Sequence, residues 1–104
     1  MSKEPLRANE LPFPVEALGN PDAGEVLRAW SINKELVICM NPLSFPNAGI
    51  WGMLLVDVAR HVSRALANEG QGSAPEIMNS ILNAFERELT RPADMGTTQK
   101  IHQN

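Results

Sequence analysis

Asp57 and His61 are two ionisable residues four positions apart in the middle of the chain. On a helix this spacing places a carboxylate where it can orient an imidazole, and both groups can approach one metal ion. Two ligands do not complete a metal site, and the other histidine, His102, lies in the C-terminal segment. The sequence therefore favours a structural or solvent-exposed His61, with a ligand-binding or catalytic role as the alternative. It predicts neither a metal site nor a cofactor.

Arg28 interrupts an otherwise apolar segment and precedes Trp30 by two residues. In the simpler interpretation, the stem of Arg28 packs at the end of a sheet and its guanidinium reaches water or Glu25. The alternative is an arginine that binds an anion or a partner beside a tryptophan, a combination common at interface hot spots. No catalytic residue is predicted, and the candidate ligand-binding or partner-binding residues are Arg28, Trp30, Asp57 and His61.

Cys39 is the one cysteine, which excludes an intramolecular disulfide and indicates a reducing compartment. A nucleophilic cysteine needs a neighbouring base, which the sequence does not show, so we expect a buried, inert thiol. The N-terminal segment lacks the apolar region of a signal peptide, and the longest apolar run, residues 50–56, is far shorter than the ~20 residues of a membrane span. We therefore expect a cytoplasmic protein without a membrane segment.

The composition predicts one small globular domain, with 104 residues of which 43% are hydrophobic and 20% charged. The formal charge is −3, and the nine Lys and Arg residues are scattered along the chain. Phosphate binding requires a concentrated basic face. The sequence therefore argues against nucleic acid as a partner.

Residues 1–24 contain four prolines and two glycines, a density that excludes a regular helix or a central strand. We interpret them as a proline-rich arm, of which residues 11–18 are expected to lie extended against the body because they carry apolar side chains. Residues 25–33 and 35–41, EVLRAWSIN and ELVICMN, are rich in strand-forming residues and predict a β-hairpin.

The loop length of this hairpin decides which side chains share a face. A three-residue loop pairs Trp30 with Ile38, whereas a two-residue loop joins Trp30 to the face of Val37 and Cys39. We expect the three-residue loop because it concentrates the large apolar side chains on one face. In either register the second face keeps apolar residues, so we expect the arm or the hairpin of a second chain to cover it.

Residues 46–68 predict a long helix with one apolar side. The apolar residues at helical spacing are Trp51, Leu54, Leu55, Val58, Val62, Ala65 and Leu66. Ser73 and Glu76 form a capping box that begins a second helix, which ends at Arg91 and Pro92. The short connection predicts that this helix folds back antiparallel, burying Ile81 and Phe85 against the apolar side of the first.

The predicted fold is α+β: an N-terminal arm, a β-hairpin and two antiparallel helices packed on one sheet face, in the order β-β-α-α. The predicted boundaries are an arm at 1–24, a single domain at 25–91 and a disordered tail at 92–104. Because an isolated hairpin is marginal in water, we expect a homodimer that joins two hairpins into one sheet.

The segments AGEVLRAW (residues 23–30) and WGMLLVDVARHV (residues 51–62) resemble a family of short bacterial proteins known as a domain of unknown function. The resemblance covers about residues 11–90 and implies a small, stand-alone bacterial domain. It supplies no catalytic residues. The leading hypothesis is a non-enzymatic, homodimeric protein-interaction module with an unidentified protein partner. The alternative is a small-ligand or minor enzymatic site around Arg28, Asp57 and His61.

Overall fold

The computed structural model describes residues 9–91 and 97–100. It confirms an α+β chain in which a β-hairpin precedes two helices. In chain order the elements are a short 3-10 helix (Val15–Ala17), β1 (Leu27–Ile32), β2 (Glu35–Met40), α1 (Ala48–Asn68), α2 (Ala74–Leu89) and β3 (Thr97–Lys100).

The hairpin turns through two residues, Asn33 and Lys34, and pairs Trp30 with Val37. The expected three-residue loop is therefore wrong. Asn33 and Lys34 both have positive φ, 51° and 69°, as in the two-residue turns whose twist matches that of the flanking strands. That match fixes the register although it divides the large apolar side chains between the two faces.

β3 pairs in parallel with β2, from Val37 opposite Thr97 to Met40 opposite Lys100, and gives the strand order β1-β2-β3. These four residues belong to the segment 92–104 that was expected to be disordered, and for them that prediction is wrong. The open edge of β2 supplies backbone partners that compensate for the lack of apolar periodicity. The rest of that segment lies outside the described residues.

The arm prediction has a mixed outcome, and residues 1–8 lie outside the described part of the chain. Residues 9–14 lie beside β1, where the two segments line a cavity of about 240 Å³. The expected extended conformation of residues 11–18 is wrong at Val15–Ala17, which form the 3-10 helix. The apolar side chains are not packed against the body, since Leu11 is 85% exposed and Phe13 and Leu18 are also exposed.

Both helices begin at side-chain caps, of which the one at Ser73 was predicted. The Asn47 side chain accepts a hydrogen bond from the backbone N–H of Ile50, and Ser73 forms a complete capping box with Glu76. Gly70, with φ 82°, follows the end of α1, a position where the left-handed conformation favours glycine. Local sequence signals therefore define both helices.

The contact between α1 and α2 uses a different face of α1 from the one expected. Ser63 is 3% exposed, and its hydroxyl lies 3.6 Å from the Met78 sulfur across the helix pair. Ala59 and Ala67, one turn to either side, are half-buried. The expected burial of Phe85 is wrong, since its side chain is 53% exposed. α2 lies on a row of small residues, which allow two helices to approach closely.

The sheet and the helices form separate packing units. Among the described elements, contacts join β1 with β2, β2 with β3 and α1 with α2, and none joins a strand to a helix. The predicted packing of both helices on one sheet face is therefore wrong for a single described chain. Phe45, in the loop between the two units, packs edge-on against Trp51 with ring centroids 5.1 Å apart. No apolar residue of the described ranges is fully buried.

Candidate functional site

Arg28 lies on β1 and is held by carboxylates. Its Nε donates a hydrogen bond to Glu25 Oε2 at 3.0 Å, and its Nη2 donates one to Glu25 Oε1 at 2.7 Å. The Glu10 carboxylate lies 3.8 Å from Nη1. The hydrogen bonds that Arg28 donates to Glu25, and then the charge of Glu25, raise the pKa of the Arg28 guanidinium. The guanidinium therefore remains cationic and reaches Glu25, as the simpler interpretation of the sequence expected.

Two cavities flank Arg28. The larger, of about 710 Å³, lies between residues 22–28 and 39–45 and includes Cys39, which is half-buried. The smaller is the 240 Å³ cavity beside residues 9–14, and Trp30 lines it. Because alternate residues of a strand share a face, Arg28 and Trp30 lie on the same side of β1. The structure thus brings this predicted pair together.

Asp57 and His61 lie on α1, and both are exposed. The Asp57 carboxylate lies 3.5 Å from the Arg60 guanidinium. Within residues 9–91 and 97–100, no three His, Cys, Asp or Glu side chains are grouped so that they could hold a metal ion. Because no strand contacts a helix, Arg28 and Trp30 do not form one site with Asp57 and His61 in a single described chain.

The structure reveals apolar surfaces that the site prediction did not include. We call one the α1 stripe and the other the α2 patch. Side chains of the α1 stripe are 38–50% exposed, and those of the α2 patch reach 71% at Leu89. The α1 stripe consists of Leu55, Val58, Val62 and Leu66, and the α2 patch of Leu82, Phe85 and Leu89.

A groove of about 400 Å³ adjoins the α2 patch and is lined by Ile81, Ala84, Phe85, Glu88 and Leu89. The helical periodicity of the sequence did identify most of the apolar residues of the α1 stripe and the α2 patch. It assigned them to an internal core, whereas in the described chain they form a surface.

The family model of a domain of unknown function, DUF5076, matches residues 10–93. The chain belongs to this family. The match confirms the resemblance seen in the sequence, and membership in DUF5076 assigns no activity. A search of curated proteins finds no match.

A solved structure similar to this DUF5076 chain comes from the photosynthetic bacterium Rhodopseudomonas palustrus CGA009, where it is named "a putative pyruvate dehydrogenase". The two chains are 37% identical, and the TM-score is 0.71. The similarity covers 94% of this chain and 96% of the other. Within the described residues of the present chain, no helix is long and apolar enough to cross a membrane.

Proposed function

We propose that this DUF5076 chain is a non-enzymatic, homodimeric protein-interaction module of the bacterial cytoplasm. The observation that carries the proposal is the absence of a fully buried apolar residue from the described ranges. Within the described residues, the sheet and the helix pair do not contact each other, and each leaves apolar side chains exposed. A second chain is the simplest source of the missing contacts.

Burial of apolar surface is the main term that offsets the conformational entropy lost on folding. A chain of this size is marginal even when it buries a complete core. The hydrophobic fraction of 43% is ordinary for a globular domain, so the material for a core is present. Association would complete that core, and it explains why the apolar residues follow regular helical spacing yet remain exposed in one chain.

The homodimer joined through the sheet, as expected from the sequence, remains a prediction. It is restricted to one edge of the sheet. β3 occupies the outer edge of β2, so two hairpins cannot join through β2 while β3 is in place. The outer edge of β1, beside residues 9–14, is the edge at which a strand of another chain would add.

Light scattering coupled to size exclusion tests the proposal. We expect a mass of twice the 11.4 kDa of one chain at micromolar concentrations. Because association makes stability depend on concentration, the midpoint of thermal unfolding should also rise as the protein is concentrated. A strict monomer at all micromolar concentrations, with a concentration-independent midpoint, would contradict the proposal.

A second candidate function is binding of a small carboxylate, such as a 2-oxo acid, at Arg28. Two observations favour it: the adjoining 710 Å³ cavity has the volume of a small-ligand site, and the name of the R. palustrus structure refers to pyruvate. A guanidinium binds a carboxylate through two parallel hydrogen bonds. Glu25 already uses this arrangement, so a ligand would have to displace or share that partner, and this candidate ranks second.

Calorimetric titration with pyruvate tests the carboxylate site. Binding that is lost in Arg28→Ala would support it, and Arg28→Lys should recover only part of the affinity because lysine cannot bind a carboxylate through a planar pair of donors. His61→Ala tests whether α1 participates. Absence of binding heat and of any thermal shift in the unaltered protein would remove this candidate.

A further inference from the structure

We infer that the α1 stripe and the α2 patch contact the same surfaces of a second copy of this chain, so that two helix pairs form a four-helix core. The inference rests on the proposed homodimer and specifies its interface. It differs from a dimer joined through the sheet, because the contact surface would be helical and apolar and would not use strand edges.

α2 does not cover the α1 stripe. α2 packs on the small side chains around Ser63, which is the fully buried residue of the described ranges. Val62 and Leu66 are adjacent to this contact on the helix, yet they are 41% and 38% exposed. A helix placed over Ser63 therefore leaves the neighbouring large side chains in solvent.

The sheet does not cover the α1 stripe either. No described strand contacts α1 or α2. Phe45, which lies outside the helices, packs on Trp51 at the start of α1. The middle and the end of the stripe, from Val58 to Leu66, contact no strand of the described residues.

The seven side chains of the α1 stripe and the α2 patch expose in total on the order of 600 Å² of apolar surface, which is an area of the size of a functional surface patch. A standard interface takes about 800 Å² from each partner, with an apolar centre and a polar rim. The two surfaces are therefore large enough to form the centre of a stable dimer contact.

The helical spacing of the exposed apolar residues favours a second copy of the chain as the occupant. Residues 55, 58 and 62 of α1 and residues 82, 85 and 89 of α2 are spaced by three and four, the spacing of helices that pack side by side in bundles. A two-fold axis pairs a surface with itself, so a complementary pattern is supplied by the same sequence. The seven side chains carry no charge that would have to be neutralised by a different partner.

Val62→Glu tests the interface, because it places a charge in the middle of the α1 stripe. Asn83→Glu is the matched control, since it adds the same charge at an exposed polar position of α2. We expect Val62→Glu to weaken dimerisation at least about 30-fold, as for a hot-spot residue, and Asn83→Glu to leave it unchanged. Sedimentation equilibrium measures both, and far-UV circular dichroism verifies that the helices persist.

Disulfide cross-linking provides a second test that does not depend on a destabilising charge. In a Cys39→Ser background, the double variant Val58→Cys/Val62→Cys should form a covalent dimer on mild oxidation, whether the two α1 helices run parallel or antiparallel. Such a bond needs Cα atoms within about 7 Å. The control Asn79→Cys/Asn83→Cys has the same spacing on the exposed side of α2 and should remain monomeric on a denaturing gel.

The outcomes separate the interface from the proposed function. A dimer that survives Val62→Glu and gives no cross-link through residues 58 and 62 would overturn the helical interface and leave the homodimer, joined through the sheet, in place. A monomeric unaltered protein would overturn both. Loss of the dimer in Val62→Glu but not in Asn83→Glu, together with a specific cross-link, supports the inference.

Discussion

The helix pair and the sheet are held together by different kinds of interaction. α1 and α2 begin at side-chain caps and contact each other through side chains around Ser63. The sheet depends on a two-residue turn and on backbone pairing of its strands. No described strand contacts a helix, and neither unit contains a fully buried apolar residue in the described ranges.

This difference shows that a sequence can specify regular secondary structure without specifying a core within one chain. An apolar stripe on a helix predicts that the stripe will be buried. It does not specify whether the covering surface belongs to the same chain. In α1 the chain covers the small residues near Ser63, while Val58 and Val62 remain exposed. The helix pair is therefore the unit in which mutations should distinguish internal packing from association.

Ser63→Leu should have the largest effect on internal packing. Ser63 is 3% exposed and contacts Met78, so a leucine at this position would force the two helices apart. Overpacking of this kind costs about 1–3 kcal/mol. Urea denaturation followed by circular dichroism, at one fixed protein concentration, should show a lower free energy of unfolding.

Ser80→Leu is the control for this change, since Ser80 is exposed on α2 and the substitution adds the same side chain. Its free energy of unfolding should stay within about 0.5 kcal/mol of the unaltered protein. Equal losses in the two variants would show that α2 does not lie on the Ser63 face of α1.

Substitutions of Lys34 in the hairpin turn should either lower or raise the free energy of unfolding, depending on the residue introduced. Lys34 has φ 69°, a conformation that costs a residue with a side chain about 1–2 kcal/mol and is least tolerated by β-branched residues. Lys34→Val should therefore lower the free energy of unfolding by about 1 kcal/mol, whereas Lys34→Gly should raise it by less than 1 kcal/mol because glycine also gains freedom in the unfolded chain.

Glu35→Gly distinguishes the two registers of the hairpin. Glu35 begins β2, where glycine weakens a strand, so this variant should be less stable. In a three-residue loop, Glu35 would belong to the turn and the glycine would be tolerated. A stabilising Glu35→Gly together with a destabilising Lys34→Gly would contradict the observed register.

The sequence predicted the elements of the fold better than their packing. The caps at Asn47 and Ser73 and the glycine at position 70 act within one helical turn, so they can be recognised without the tertiary structure. The hairpin register depended on two left-handed residues, and neither Asn33-Lys34 position is a glycine that would have signalled the turn. β3 has no apolar periodicity and depends on the distant edge of β2.

The candidate site was predictable only in part, because contacts between nearby residues follow from local geometry whereas contacts between elements do not. The Arg28–Glu25 pair is separated by three residues, and its contact follows from local geometry. Whether Arg28 and Trp30 share a site with Asp57 and His61 depends on how the sheet and the helices pack, which periodicity does not encode. The α1 stripe was visible in the sequence as an apolar pattern, but its exposure depends on which face α2 occupies.

Ser73→Ala should act on the helix pair alone. It removes the acceptor of the Glu76 N–H and disrupts the capping box that begins α2, which costs about 1 kcal/mol. Amide exchange should then accelerate in the first turn of α2, while Ser80→Ala leaves it unchanged. Because Ser73 lies outside the α1 stripe and the α2 patch, the dimer mass should persist. A Ser73→Ala variant that dissociates would show that the first turn of α2 belongs to the interface. The inferred four-helix core would then have to include this turn.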